Sequence, residues 1–357
     1  MLKKLSRFLC LTTKLLVYSY CSFLLIYFLL RLIFWDRLWI VAFIGSFIPL
    51  ILLPIFLLPL PAFFLIKKPW FSIASSVACL WLLGWLHLTY FSPQSTVIAD
   101  VKALKILTLN TSWKRANDQR LLGLIEAEKA DIVCLQEIAA KRMENNPFPK
   151  QKGDYPYQYY AYNFDNYHTS SAAILSKYPI LNREKIQLAN HIEVQQRIIL
   201  EIDNLEVVLY NIEITAPWIK PQKILPFLTI PTYDFSQPSE EIQELITRIK
   251  QESLPVIVAG DFNLTDQSQD YHKLAQLLQD SFKKSGWGFG FTWPTNWEIN
   301  NWIKSSKWKL SLPLFRIDYL WHSNHWQTQS SLVLPSKISA HLPVVAEVKL
   351  TSLSSNL

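Results

Sequence analysis

The sequence predicts an α/β domain with a mixed β-sheet, preceded by three transmembrane helices. Half of the 357 residues are hydrophobic and only 18% are charged, which excludes a disordered or fibrous chain. Up to residue 97 the hydrophobic residues form three long runs, each of about 20 residues or more, the length that crosses a bilayer. Beyond residue 97 they form short runs between polar clusters, which is typical of strands.

The long apolar runs span residues 15–34, 38–60 and 70–91, and we predict a transmembrane helix for each. A cleaved signal peptide would account only for the first run. The second run contains Pro49 and further prolines, which remove backbone donors and should kink the helix or end it early. Residues 1–97 are therefore predicted to be a membrane anchor, with the lipid bilayer as a partner.

Positive charge is concentrated in this anchor. Of the 35 basic and 28 acidic residues, the first 97 positions contain eight and one, which leaves 27 of each sign beyond them. Because Lys and Arg accumulate on the cytoplasmic side, the N-terminus and the Lys67–Lys68 pair are predicted to be cytoplasmic. Three crossings then make this a multi-pass integral membrane protein whose following domain is extracytoplasmic. The neutral balance of that domain does not support nucleic acid as a partner, although it leaves a local basic groove open.

The polar part of the chain is predicted to contain a linker, 98–103, one α/β domain, 104–350, and a C-terminal tail, 351–357. Eight short apolar runs predict its strands: 104–109, 132–135, 172–175, 198–202, 207–210, 256–259, 317–321 and 344–348. Apolar residues at helical spacing precede Asp131 and Pro255. Strands alternate with helices in some places and follow one another directly in others, which favours a mixed sheet.

Several of these predicted strands end in polar side chains. Asn110 closes the first run, Glu137 follows the second after one glutamine, and Gly260-Asp261-Phe262-Asn263 follows a later one. A buried carboxylate is costly unless it is paired, hydrogen-bonded or bound to a metal. Carboxylates directly after apolar strands therefore indicate either a functional site or, for each residue taken alone, a capping or turn residue.

Six segments with such residues occur in the order found in the endonuclease/exonuclease/phosphatase superfamily, and residues 104–350 resemble that superfamily. The segments are Ile106–Asn110, Asp131–Glu137, Ala173–Ile180, Gly260–Asn263, Arg316–Tyr319 and Ser339–Pro343. The glycine-rich stretch Gly286–Pro294 resembles the membrane-anchored bacterial branch of the family. The resemblance implies a four-layer sandwich of two mixed β-sheets flanked by helices, and metal-dependent hydrolysis of a phosphoester.

The resemblance also implies a metal site and a base. Glu137 would be the principal ligand of a Mg²⁺ or Mn²⁺, since a hard cation takes carboxylate oxygen, and Asn110 would lie beside it as a neutral oxygen donor. Asp261 would orient and deprotonate the attacking water, while Asn263 would hold the phosphate through its amide.

A histidine completes the implied site. His341 would contact a phosphoryl oxygen, and Asp318 would hold its imidazole charged and oriented. Asn211 also matches the family pattern and is implied to be part of the catalytic set.

Two residues depart from the pattern of the superfamily. Ala340 stands before the last histidine where relatives have Asp, and Glu213 stands where they commonly have a second histidine. An ionised glutamate repels a phosphodiester instead of donating to it. Either Glu213 faces the metal and compensates for the acid that is missing at Ala340, or the activity is impaired.

Two functions from different classes therefore remain open. The first is a membrane-anchored phosphodiesterase or phosphomonoesterase that acts on nucleic acid, a lipid headgroup or a small phosphate ester. The second is a degenerate domain that binds a phosphorylated ligand or a protein partner without turning it over. Residues 297–309 interleave Trp with Lys, which suits a membrane interface but also suits base stacking.

Overall fold

The computed structural model describes residues 2–61, 63–64, 69–91, 103–113, 118–139, 154–164, 169–225, 228–295, 297–298 and 309–351. Nearly all of the predicted linker and tail, and most of the Trp/Lys segment, lie outside these described residues. The chain divides into two compact units. The first comprises Met1–Phe91, Lys220–Tyr233 and Gln267–Gln269, and the second comprises Ser92–Ile219, Asp234–Asp266 and Asp270–Leu357.

The first unit contains two helices that are long and apolar enough to cross a membrane, α1 (Leu2–Phe34) and α5 (Pro69–Tyr90). The second predicted run forms no continuous helix. It is divided into α2 (Trp39–Ser46), α3 (Ile48–Ile51), a 3-10 segment (Leu53–Leu57) and α4 (Pro59–Pro61), with a bend of 67° after α2.

The prediction of three transmembrane helices is therefore corrected to two long apolar helices, while the second run is bent and divided, as its prolines had indicated. Pro49 stands in the first turn of α3, where its missing N–H cannot continue the hydrogen-bond ladder of α2. The described residues contain two helices that are long and apolar enough to cross a membrane, or up to three such spans if the bent pair counts as one broken span.

The second unit is mainly composed of strands. In chain order the strands of the described residues are β1 (Leu104–Asn110), β2 (Ile132–Gln136), β3 (Tyr157–Phe164), β4 (Thr169–Ser176), β5 (Ile180–Ile186), β6 (Gln195–Ile202), β7 (Leu205–Glu213), β8 (Trp218–Leu225), β9 (Leu228–Asp234), β10 (Val256–Asp261), β11 (Gln279–Asp280), β12 (Trp297–Glu298), β13 (Lys309–Leu310), β14 (Asp318–His322), β15 (Trp326–Val333) and β16 (Val344–Leu350). Each of the eight predicted runs falls in or overlaps one of them. The sequence missed the other eight strands, β3, β5, β8, β9, β11, β12, β13 and β15, and in β3, β5 and β15 polar residues interrupt the apolar pattern.

Two six-stranded sheets organise this unit, with the orders β15-β16-β1-β2-β4-β3 and β11-β14-β10-β7-β6-β5. In the described chain each sheet has one parallel pair, β1 with β2 and β7 with β10, and its other neighbours are antiparallel. The expectation of mixed sheets is therefore confirmed. β12 pairs with β13 in a separate two-stranded ribbon, and β8 pairs with β9 in another, most of which belongs to the first unit.

Helices pack on the outer faces of the two sheets. α6 (Gln119–Glu128) begins at Asp118, whose side chain accepts from two backbone N–H groups of its first turn, and it buries Leu121 and Ile125 against the first sheet. α7 (Ser236–Gln251) buries one apolar face against the second sheet, together with α8 (Gln269–Leu274). A further apolar cluster, which includes Ile106, Cys134 and Leu209, fills the space between the sheets.

Strand direction determines where the polar residues collect. The parallel pairs end at Asn110, Gln136, Glu213 and Asp261, and the antiparallel β14 begins at Asp318. In the second sheet Asp261 is the register partner of Glu213 on one side and of Asp318 on the other. Side chains at matching register on adjacent strands project to the same face, so these three carboxylates are neighbours.

Candidate active site

Asp261, the last residue of β10, lies at the centre of a buried polar cluster and is only 1% exposed. Its Oδ1 accepts a hydrogen bond from the backbone N of Asn263 at 2.9 Å, and its Oδ2 accepts one from Nδ2 of Asn110 at 3.0 Å. The same Nδ2 donates to Oε1 of Glu137 at 3.1 Å. One amide group therefore joins two carboxylates that come from different sheets.

Close approach of β10 to β7 depends on Gly260, which precedes this aspartate. Its φ is +148°, and a Cβ built on it would lie 1.9 Å from the carbonyl oxygen of Ile212. No other residue fits there without moving a strand. The Gly-Asp pair thus holds the Asp261 carboxylate close to the end of β7.

His341 and Asp318 form a buried pair beside Asp261. Nδ1 of His341 lies 3.0 Å and 3.2 Å from the two carboxylate oxygens of Asp318, and 3.7 Å from Oδ2 of Asp261. An ionised carboxylate can only accept hydrogen bonds. Nδ1 of His341 therefore carries a hydrogen and donates a hydrogen bond to Asp318. The backbone N of His341 donates to Oγ of Ser339, which fixes the turn before β16.

In this pair, carboxylate charge and burial shift the pKa of His341 in opposite directions. Burial by itself would lower the pKa of His341, but the negative charges of Asp318 and Asp261 outweigh it and raise the pKa to about 9. Burial, together with the negative charge of Asp318, raises the pKa of Asp261 to about 7. The imidazole is therefore charged at neutral pH, while Asp261 is poised to gain or lose a proton.

Ligand atoms of Asp261, Asp318 and His341 all lie within 4.8 Å of one another, a spacing that would also suit a metal ion. We interpret these three residues as a proton-handling group, because the histidine nitrogen that faces the carboxylates already donates to Asp318. A metal ion bound there would have to displace that hydrogen bond.

The amides of Asn110 and Asn263 are oriented by the backbone. Oδ1 of Asn110 accepts from the backbone N of Ser112 at 3.0 Å, so its second lone pair is what remains for a cation. Asn263 has a left-handed φ of +48° and donates from Nδ2 to the carbonyl oxygen of Ile214 at 2.8 Å. The roles implied for them, as a metal ligand and a phosphate donor, stay predictions.

Glu213, the last residue of β7, is turned into the same cluster and is 5% exposed. Burial raises its pKa well above the ordinary value, and the negative charges of Glu137, Glu193 and Asp261 raise it further. The departure from the family pattern thus lies close enough to Glu137, the residue predicted to bind the metal, for the two charges to interact.

Asn211 occupies a different position from the one expected of a catalytic group. Its Nδ2 donates to the carbonyl oxygens of Leu135 and Ala173 and to Oε1 of Gln196, and its Oδ1 accepts from Nε2 of Gln136 at 2.6 Å. The amide is 1% exposed and engaged on both ends, so it ties the two sheets together. Both ends of the amide are thus engaged within the protein, and the catalytic role implied for Asn211 stays a prediction.

Sequence reasoning missed the glutamines that surround this asparagine. Gln136, Gln195 and Gln196 are fully buried, and Nε2 of Gln195 donates to the backbone oxygen of Glu213 at 2.7 Å. Gln136 lies next to Glu137 in the sequence, which was the one available signal. The pairing of Gln196 with Asn211 across β6 and β7 depends on strand register, which no short motif encodes.

The residues present fit a divalent cation at the Glu137 end of the cluster. Asn110 joins Glu137 to Asp261 there, and Glu213 is the register partner of Asp261; among the described residues only His341 forms an ion pair with any of these three carboxylates. Oε2 of Glu213 is buried and accepts no hydrogen bond. Mg²⁺ and Mn²⁺ bind carboxylate oxygens, and the negative charge of these buried carboxylates exceeds the positive charge paired with it.

Known proteins share this fold. An endonuclease/exonuclease/phosphatase family protein from Bacteroides thetaiotaomicron is 16% identical, with a TM-score of 0.51, and the match covers 71% of this chain and 96% of that one. One from Bacteroides vulgatus is 15% identical, with a TM-score of 0.50, covering 70% and 100%. A mannosyl-6-phosphatase from Bacteroides thetaiotaomicron is 17% identical, with a TM-score of 0.49, covering 69% and 100%.

At such identities the structural likeness shows the fold alone. No curated protein sequence matches the chain significantly. The sequence profile of the Endonuclease/Exonuclease/phosphatase family, however, matches residues 107–341, an interval that contains the whole cluster from Asn110 to His341. By this match and by its two mixed sheets flanked by helices, the chain belongs to the endonuclease/exonuclease/phosphatase family.

Proposed function

We propose that the protein is a membrane-anchored, divalent-metal-dependent phosphoesterase that hydrolyses its substrate by attack of an activated water. The observation that carries this proposal is the placement of Asp261 between two groups. On one side Asn110 joins it to Glu137, and on the other lies the His341–Asp318 pair. A base, a charged donor and a cation site are thus adjacent, which is what cleavage of a phosphoester needs.

The metal ligands and the base are different residues of the site. Glu137 and Glu213 would hold the Mg²⁺ or Mn²⁺, with Asn110 beside them. When bound, the cation neutralises charge on the phosphoryl oxygens. Asp261, whose oxygens are fixed by Asn263 and Asn110, orients the water and accepts its proton.

His341 acts on the other side of the phosphoryl group. Its Nδ1 is engaged by Asp318, which aims Nε2 at a phosphoryl oxygen and keeps the ring charged. Burial of the pair strengthens this interaction, because electrostatic attraction is larger where water is excluded.

Anchoring in the membrane is supported by the two long apolar helices. Whether the bent segment between them crosses the bilayer decides the side on which the phosphoesterase lies. Three crossings, which agree with the positive charges at the N-terminus and at Lys67–Lys68, place it outside the cytoplasm. Anchoring of this kind favours a lipid-derived phosphoester over nucleic acid, since the net charge beyond residue 97 is neutral.

The proposal is tested with the full chain in detergent and a panel of phosphodiesters and phosphomonoesters, in Mg²⁺, Mn²⁺ or chelator. We expect hydrolysis that chelator abolishes and that Asp261→Asn lowers by at least about 10²-fold. Asp203→Asn, in the exposed turn between β6 and β7, is the matched control and should retain full activity. A folded wild-type chain that is inert on every ester would instead favour the ligand-binding domain, for which Ala340 and Glu213 are the supporting observations.

A further inference from the structure

Two residues that follow β7, Ile214 and Thr215, connect the end of this strand to the candidate site. The pairing of β7 with β10 ends at Glu213 and Asp261, so both residues lie beyond the paired part of the strands. The backbone N of Ile214 donates to the carbonyl oxygen of Asp261 at 2.9 Å, and its carbonyl oxygen accepts from Nδ2 of Asn263 at 2.8 Å. The backbone of one residue is therefore hydrogen-bonded to both ends of the turn from Asp261 to Asn263.

Two buried side chains bind the same stretch of backbone. Nε2 of Gln195 on β6 donates to the carbonyl oxygen of Glu213 at 2.7 Å. Glu241 on α7 accepts from the backbone N of Thr215 at 2.7 Å and from Oγ1 of the same residue at 2.6 Å. The four backbone groups of the two peptide units that flank Ile214 therefore all have partners, two of them in the turn and two in these side chains.

Glu241 is fully buried, on the same face of α7 as Ile242 and Leu245. A carboxylate in such a place is costly unless hydrogen-bond donors surround it. It has the backbone and hydroxyl groups of Thr215, and Nδ1 of His191 lies 2.8 Å from its Oε1. Burial raises the pKa of Glu241, and these donors act in the opposite direction. An aliphatic residue would suit the helix, but it would leave the buried N–H of Thr215 without this acceptor.

Gln195 binds two backbone segments at once. Besides the bond from its Nε2 to the end of β7, its Oε1 accepts from the backbone N of Leu188 at 3.1 Å, in a 3-10 turn that ends at Asn190. Ala189 of that turn has a left-handed φ of +51°, and its backbone N donates to Oε2 of Glu244 on α7 at 2.6 Å. Both ends of the Gln195 amide are engaged, so its orientation is fixed.

We propose that Glu241 and Gln195 are positioning residues of the phosphoesterase site: they fix the backbone at Ile214, which fixes the turn from Asp261 to Asn263. This inference rests on the proposed function, because Asp261 is the base of that reaction. Both residues act through the backbone and not by contact with the substrate. Loss of this support should let the Asp261 carboxylate shift, and a displacement of about 1 Å at a catalytic group can cost about 10²-fold in rate.

Hydrogen exchange, measured by mass spectrometry on the full chain in detergent, tests the support without relying on activity. Glu241→Gln keeps the length of the side chain but replaces one acceptor oxygen by a donor, whereas Glu241→Ala removes both acceptors. The backbone amides at 214–215 and 262–263 should exchange at least about tenfold faster in Glu241→Ala, and less so in Glu241→Gln. Gln195→Leu should speed exchange at the same amides. Glu126→Gln, on an exposed position of α6, is the matched control and should exchange as the wild type does.

The effect on catalysis is measured as kcat/KM with the same panel of phosphoesters. Glu241→Gln should lower it by about tenfold and Glu241→Ala by up to about 10²-fold. Adding Glu241→Gln to Asp261→Asn should cost less than about twofold, because the support acts through a base that is already lost. A general loss of folded protein would instead lower the activity by the same factor in both backgrounds, and it would also speed exchange along the rest of α7.

The possible results separate this inference from the proposed function. Unchanged exchange at 262–263 in Glu241→Ala would refute the support of the turn. Faster exchange with wild-type activity would show that the support does not serve catalysis, and the positioning role would be refuted. Faster exchange in a chain whose wild type is inert on every ester would refute the proposed function, and with it the catalytic role of both residues, while the support of the turn would stand.

Discussion

Removal of the charge on Asp318 should move both pH limits of the activity in the same direction. Asp318→Asn keeps the shape of the side chain, but it takes away the carboxylate that lies 3.0 Å from Nδ1 of His341. That charge raises the pKa of His341 and also the pKa of Asp261. Without it, both pKa values should fall.

The size of the effect follows from the structure. The pKa of His341 is raised from 6.5 to about 9 although burial opposes the change, so the carboxylates contribute more than the net difference. Loss of the larger contribution should lower it by at least about one pKa unit, which corresponds to about 1.4 kcal/mol. Asp261, raised from 3.8 to about 7 by burial first and Asp318 second, should fall by a similar amount.

The direction of both pKa changes can be read from the pH profile of kcat/KM. Activity needs ionised Asp261 and charged His341, so it rises with pH through the pKa of the first and falls through the pKa of the second. In Asp318→Asn both limbs should lie at lower pH, and the maximum should fall by about 10- to 100-fold because the ring has lost its orienting partner. Titration of ¹³C-labelled histidine by NMR in the full chain checks the His341 pKa without relying on activity.

Asp203→Asn serves again as the control, since that side chain is exposed and its profile should match the wild type. A basic limb that stays in place, or limbs that move in opposite directions, would refute the coupling of the three groups. An unchanged histidine titration would show that Asp318 does not hold the imidazole in its charged form.

Two further predictions concern the frame around the site and its side of the membrane. Arg316 is 5% exposed and forms ion pairs with Asp280 at 2.5 Å and with Asp266 at 3.3 Å. Arg316→Met leaves the two buried aspartates without their positive partner, so it should lower the free energy of unfolding by about 3–5 kcal/mol. Denaturant unfolding measures this, and adding Asp280→Asn should recover part of the loss; an unchanged stability would contradict it. A reporter that works only in the cytoplasm, fused after Leu357, should be inactive. Reporter activity would mean that the bent segment from Trp39 to Pro61 does not cross the bilayer.

Local patterns in the chain were sufficient to predict much of the architecture. Short apolar runs ended in polar residues at Asn110, Glu137 and Asp261, and each run lies in a strand because alternation and length are properties of a few consecutive residues. The prolines after residue 48 predicted a kink for the same reason. They did not predict that the run would become several short helices, since neighbouring segments decide whether a kinked helix continues.

By itself the sequence determined which residue types are available for chemistry, and the order of its motifs indicated the family. Only the tertiary structure decided which of those residues meet. It joined Asn110 to both Glu137 and Asp261, engaged Asn211 between the sheets, and set Glu213 in register with Asp261. The physical reason is that hydrogen bonds and charge interactions between strand ends depend on register and on how two sheets stack, and these are set by contacts between residues far apart in the chain.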